Sequence, residues 1–201
     1  MRPLLLALAG LALAPSLADT PLVLQPESRL WVDGTSTVRK FSCAAGVVTA
    51  DVQAKPGAAA AVLGGEKAVR SVELRIPAAR LDCRNGTMNE HMYKAIRAAE
   101  HGEIVFKLAS YDVSAADGAV RGTLAGTLTL GGVTRPIAVE ASGAGAGPNA
   151  LRVTGTHQLK LSDFGLKAPS LMMGTMKVGD VVTVGFDLVL KGEPTVASAT
   201  N

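Results

Sequence analysis

Aromatic side chains are scarce in this sequence: one Trp, two Tyr and four Phe make up 3% of its 201 residues. That leaves too little stacking surface for the aromatic platforms on which single-stranded nucleic acids are usually held. Histidine is nearly absent as well, and the three present, His91, His101 and His157, stand at no metal-ligand spacing. No run of five or more basic residues occurs, so the net charge of +3 reads as a solubility charge and not as a phosphate-binding footprint. No apolar run reaches the roughly 20 residues that a membrane-spanning helix needs. Gly34-Thr35-Ser36-Thr37-Val38 begins like a nucleophile elbow but lacks the closing glycine and falls in a strand pattern. Acidic pairs such as Asp112 with Asp117 fall at hairpin ends, where turn geometry alone favours Asp. No catalytic residue is assigned, and an enzyme is not expected.

What the chain does have is aliphatic mass: 48% hydrophobic against 18% charged residues, enough to bury a sizeable core. Some of it stands at the start. Arg2, the apolar stretch from Leu4 to Ala14, and the small residues Ser16 and Ala18 have the three parts of a secretory signal peptide. Residues 1–18 are therefore expected to be removed, leaving 19–201 as one domain. Export changes the reading of the two cysteines. In an oxidising compartment an even pair points to a disulfide between Cys43 and Cys83 rather than to a metal site or nucleophile, with two buried thiols as the alternative.

From Leu30 onward, period-two stretches rich in β-branched residues alternate with Gly, Pro and Asn or Asp, the pattern of an all-β antiparallel domain. Strands are expected at Arg29 to Ser36, Thr37 to Gln53, Val69 to Ile76, Glu103 to Val113, Ala119 to Leu130, Arg135 to Ser142, Leu151 to Leu161 and Val181 to Lys191. Eight strands fit a sandwich or a closed barrel. Ile104, Phe106 and Leu108, and likewise Leu124 and Leu128, alternate with polar or small residues, giving one wet and one dry face. Gly122 and Gly126 share the dry face of their strand, where a bend, a close approach or space for a ligand would each explain them. One segment departs from the pattern. Thr87-Met88-Asn89-Glu90 has capping-box spacing, and Met88, Met92, Ala95, Ile96 and Ala99 then recur at helical spacing up to His101-Gly102, which predicts one short amphipathic α-helix. Ala54 to Ala68 and Gly143 to Ala150 read as loops, and Ala168 to Lys177 concentrates three methionines in a turn-like segment.

An eight-stranded barrel has an interior just wide enough to be filled by side chains or to hold one small ligand. A chain rich in Leu, Val, Ala and Gly has few bulky plugs, and an elongated apolar ligand asks for no buried polar partners. Several stretches carry a resemblance. Gly34-Thr35-Ser36-Thr37-Val38, Met88-Asn89-Glu90-His91-Met92 with Ala95-Ile96, Glu103-Ile104-Val105-Phe106, Leu124-Ala125-Gly126-Thr127-Leu128-Thr129-Leu130-Gly131-Gly132-Val133-Thr134-Arg135-Pro136, Leu161-Ser162-Asp163-Phe164-Gly165-Leu166 and Lys177-Val178-Gly179-Asp180-Val181-Val182 occur in order across nearly the whole mature chain. Together they resemble the YceI-like family of bacterial periplasmic lipid-binding proteins. Where many relatives have a His or Asp stretch with an aromatic, this chain has Arg39-Lys40-Phe41.

The resemblance implies an all-β fold, an extended eight-stranded antiparallel lipocalin-like β-barrel with one short α-helix, located in the periplasm. It also implies a ligand: a polyisoprenoid lipid, an isoprenoid quinone or prenyl phosphate, held in a lengthwise pore with no catalytic cofactor and no metal. On this reading Ile104, Phe106, Leu108, Leu124 and Leu128 line the pore, while Met92, Ile96, Phe164, Leu171, Met172 and Met176 close its ends. Arg39 and Lys40 stand where a head group or solvent could meet them, and a homodimer is left open. The competing reading is a non-catalytic structural or interaction β-domain of the cell envelope with a filled core. An enzyme acting on a lipid would need a polar dyad at the pore mouth, for which His91 with Glu90 or Asp163 are the candidates.

Overall fold

Alternating apolar and polar residues give each strand one dry side, and a sheet with one dry side is stable only when that side is covered. A computed structural model describes residues 19–116, 119–171 and 176–192. Its strands in chain order are β1 (Thr20–Leu24), β2 (Arg29–Thr35), β3 (Lys40–Ala45), β4 (Thr49–Ala54), β5 (Val69–Pro77), β6 (Leu81–Asp82) and β7 (Glu103–Tyr111). There follow β8 (Ser114–Ala116), β9 (Ala119–Leu130), β10 (Val133–Gly145), β11 (Ala150–Lys160), β12 (Ser170–Leu171), β13 (Met176–Lys177) and β14 (Val181–Gly192). Helix α1 spans Ala58–Leu63 and α2 spans Gly86–Ala95, with 3-10 turns at Ala78–Arg80 and Leu161–Phe164.

The dry side is covered by closure. β1 pairs with β4, and the ladder continues through β5, β7, β9, β10, β11 and β14, which pairs back with β1. Each of these pairings is antiparallel. β1 and β2 are two halves of one bent strand along β14: Val23 faces Lys191 and Trp31 faces Gly185. Ser28 holds the bend, because its hydroxyl accepts the Val189 N–H at 3.0 Å. β3 and β4 form a second bent strand alongside, with Phe41 facing Gly34 and Gln53 facing Pro21. Counting each bent pair once, eight strands close an up-and-down barrel, as the sequence reading expected.

Four details correct that reading. The expected strand from Thr37 to Gln53 is broken at Gly46, whose N–H donates to the Arg80 carbonyl instead of continuing a ladder. The expected loop from Ala54 to Ala68 contains α1, a run of alanines between two Gly-containing turns, so the barrel carries two short helices and not one. The expected loop from Gly143 to Ala150 shrinks to residues 146–149, because Gly143 faces Val153 and Gly145 faces Leu151 in the β10–β11 ladder. Helix α2 begins before the Thr87 box: Asn85 is extended, and its side chain accepts the Met88 N–H at 2.9 Å, capping a helix that starts at Gly86.

Four of the seven aromatics lie over strand glycines. Phe41 packs its ring over Gly34, Trp31 over Gly185 and Phe186 over Gly155, each directly across a ladder, and Phe106 covers Gly126 from the diagonal position. A ring lying over a strand glycine restores the packing that the missing side chain forfeits. Gly126 thus makes room for the Lys107 carbonyl and the Phe106 ring, and Gly122 makes room for the Asp112 carbonyl.

Candidate functional site

The inward side chains do not form one continuous core. One buried cluster gathers at the end covered by α2 and the Leu161–Phe164 turn, and includes Leu81, Ile96, Leu128, Leu161, Phe164 and Val182. A second gathers under α1, with Leu22, Val52, Ala58, Val62, Leu151 and Leu190. Leu74, Leu108 and Leu124 face inward between them, belong to neither cluster and are only partly buried. They border a hollow. A cavity of about 320 Å³ runs between the two clusters, lined from β5 by Val72, Leu74 and Ile76, from β9 by Leu124 and Leu128, and from β14 by Val184, Phe186 and Leu188. Its volume lies at the lower end of the range for small-molecule pockets.

The wall is almost wholly apolar. His157 on β11 is the imidazole in it, and partial burial lowers its pKa below the ordinary histidine value, favouring the neutral ring. Tyr111 also lines the wall, with its hydroxyl accepting the Val69 N–H at 2.9 Å. Asp112, Arg121 and Ser142 border the cavity toward the α1 end. At the other end the Leu161–Phe164 turn is fixed from outside: the Ser162 N–H and hydroxyl both donate to Asp180, holding that carboxyl below its usual range.

Of the residues singled out in the sequence, Ile104, Phe106, Leu108, Leu124, Leu128, Met92 and Ile96 all line this cavity. Phe164 does not. It is 2% exposed and packed into the end cluster, because the 3-10 turn directs its ring among its buried neighbours there and away from the hollow. Met172 lies outside the described residues, and so do the side chains of Leu171 and Met176. Glu90, His91 and Asp163 are not in the wall, so no dyad meets the lumen among them. Arg39 and Lys40 are exposed at the β2–β3 turn. The sequence reading missed the contribution of the first strands, Leu30, Val32, Phe41 and Val52. Their alternation was legible, but the bends at 25–28 and 46–48 shift its phase.

Cys43 and Cys83 are joined in a disulfide. It ties β3 to the segment that leads into α2. Asn89 reinforces the link: its carbonyl accepts the Cys83 N–H and its amide donates to Asp82, each at 2.8 Å. The Tyr93 hydroxyl donates to the Leu81 carbonyl at 2.7 Å. The cap that carries Met92 and Ile96 to the lumen is therefore held covalently and by hydrogen bonds.

The YceI-like domain model matches residues 28–190. The chain belongs to the YceI-like family. Solved structures with the same architecture include BcnA from Burkholderia cenocepacia, 20% identical, covering 81% of this chain and 96% of that one with a TM-score of 0.65. Another is a polyisoprenoid binding domain from Saccharophagus degradans implicated in plant cell wall breakdown, 14% identical, covering 89% and 100% with a TM-score of 0.60. The Campylobacter jejuni YCEI protein is 19% identical, covering 80% and 85% with a TM-score of 0.56. At these identities the likeness is one of fold. No curated protein matches the chain. For this YceI-like barrel the wall residues are its own, and the chemistry they permit is burial of an apolar chain.

Proposed function

We propose that this YceI-like protein sequesters or carries a polyisoprenoid lipid, an isoprenoid quinone or prenyl phosphate, in the barrel lumen. The observation that carries the reading is the division of the core into two end clusters with an apolar hollow between them. Leaving such a hollow without an apolar occupant costs its wall the contacts that a close-packed interior would supply. An apolar occupant offsets that cost and needs no hydrogen-bond partners. The polyisoprenoid binding of a structural relative and the family membership support the same ligand class. The filled interaction module is disfavoured by the hollow. The protein acts in the periplasm after loss of residues 1–18, in keeping with the leader-like start and the disulfide.

Protein produced with its leader and purified without detergent is to be extracted with organic solvent and the extract examined by mass spectrometry, alongside N-terminal sequencing. A prenyl lipid at near-stoichiometric yield and a mature chain beginning at Asp19 are expected. Protein that is repeatedly empty and takes up no added prenyl lipid would overturn the lumen reading.

A further inference from the structure

Whatever fills an apolar lumen has to match any polar group that its wall presents, since such a group costs free energy when left without a partner. Five wall residues carry polar side chains: Tyr111, Asp112, Arg121, Ser142 and His157. Four are engaged elsewhere or turned away. Val120 and Val139 are buried facing inward, so alternation turns Arg121 on β9 and Ser142 on β10 to the outer face. The exposed Asp112 carboxylate pairs with Lys67 at 2.8 Å, and the Tyr111 hydroxyl accepts the Val69 N–H. His157 is the fifth. It shares the inward face of β11 with Leu151, Val153 and Leu159, and among the described residues its ring has no hydrogen bond and no ion pair.

The surroundings of the ring follow from the ladders. His157 faces Val184 on β14, whereas the β10–β11 pairing ends at Ala141 and Gly155. The ring thus has an aliphatic cross-strand neighbour on one side and none on the other. Burial holds its pKa below the ordinary histidine value, which keeps the ring neutral, with one N–H to donate and one nitrogen to accept. Such a ring is a partner for an uncharged oxygen. A phosphate set against it would be an anion inside an apolar wall, and Arg121, the cation among the wall residues, faces outward.

We propose that His157 is the head-group contact of the lumen: its ring donates a hydrogen bond to a carbonyl oxygen of an isoprenoid quinone drawn inside the barrel, and this contact selects the quinone over the prenyl phosphate. The assignment rests on the lumen reading and narrows its ligand class. The test offers lipid-free mature protein an equimolar mixture of three probes that share one prenyl tail and end in a benzoquinone, a monophosphate or plain hydrocarbon, and quantifies the bound fraction of each by mass spectrometry. From wild type to His157→Leu the bound ratio of quinone to hydrocarbon is expected to fall about two- to tenfold, the worth of one neutral hydrogen bond. Hydrocarbon uptake persists in that variant, and its phosphate-to-hydrocarbon ratio is unchanged. His157→Phe, which keeps a ring but has no N–H, is expected to show the same fall, so the result does not hang on the folding of one variant; circular dichroism reports the folding of each. His157→Gln, whose amide N–H can still donate, is expected to recover part of the quinone ratio. A quinone ratio unchanged in the Leu and Phe variants, or a phosphate ratio that falls more than the quinone ratio, would overturn the assignment and leave the lumen reading in place. A wild type that takes up none of the three probes would overturn the lumen reading itself, and the assignment with it.

Discussion

At the scale of single residues, the barrel wall is decided by pairs in which one side chain occupies the space another gives up. Gly155 is the clearest case. A Cβ there would stand 2.5 Å from the Phe186 ring and 2.6 Å from the Glu140 carbonyl oxygen. The ring could turn, but the ladder backbone cannot retreat without breaking its hydrogen bonds. Gly155→Val is expected to cost about 1–3 kcal/mol, the usual range for overpacking, read as a lower urea midpoint with an unchanged m-value. Half of this was legible in the sequence. Ile104, Phe106 and Leu108 alternate plainly enough to be placed on the inner face, whereas nothing local shows that Gly126 lies beneath Phe106, because that contact depends on the register between β7 and β9. Phe164, expected to close an end of the pore, packs into the cluster at that end and not onto the cavity wall, a distinction that the sequence pattern does not draw.

Among the elements, α2 is the one whose position is least secured by the sheet. It has no fully buried residue of its own, and its hold on the barrel runs through Asn89, Tyr93 and the Cys43–Cys83 link. A cross-link spanning 40 residues contributes on the order of 4 kcal/mol through the unfolded chain. Replacing both cysteines with alanine is therefore expected to lower thermal stability markedly. Hydrogen exchange should then speed first at residues 81–96, ahead of β9 to β11, because this cap is the part left with the fewest other ties. Uniform acceleration across the barrel would speak against a cap role for the link. The helix was foreseen from its methionine spacing, but its start was not, since Thr87-x-x-Glu90 competes with Asn85 and only backbone geometry decides between them. Helix α1 escaped notice because Ala58 to Ala61 carry no periodic apolar contrast. Strand β1 escaped because Thr20-Pro21 sits beside the expected leader, and a proline there reads as a boundary.

For the molecule as a whole, eight strands and an apolar interior were readable from alternation and turn residues, and they left a sandwich and a barrel equally open. The family resemblance favoured the barrel, and the β1–β14 pairing closes it. That the interior is hollow was not readable, because composition sets which side chains face inward but not whether they meet. The hollow makes a prediction at this scale. Leu108→Phe with Leu124→Trp adds bulk to the unfilled middle, where neither leucine belongs to an end cluster. The double variant is expected to keep its melting temperature when lipid-free and to carry much less lipid after detergent-free purification. A large drop in stability with lipid content unchanged would show that the middle is already occupied by protein. In the wild type, removing the lipid is expected to lower the melting temperature, since a ligand that binds only the folded chain stabilises it by mass action.

The order of the strands has a further consequence. With β1/β2 and β3/β4 each counted as one bent strand and the short β6, β8, β12 and β13 set aside, every ladder in the ring except the closing one joins strands that follow one another along the chain, so most of the wall can assemble stepwise, the links across 78–102 and 161–180 being longer than hairpin loops. The exception is β14, which joins β11 on one side and both β1 and β2 on the other. Until it docks, two bare strand edges face water with their N–H and C=O groups unpaired. Among the described residues the strand made last is thus the one that closes the open sheet into a vessel, and the interval before it arrives is when those edges are most exposed to pairing with another copy.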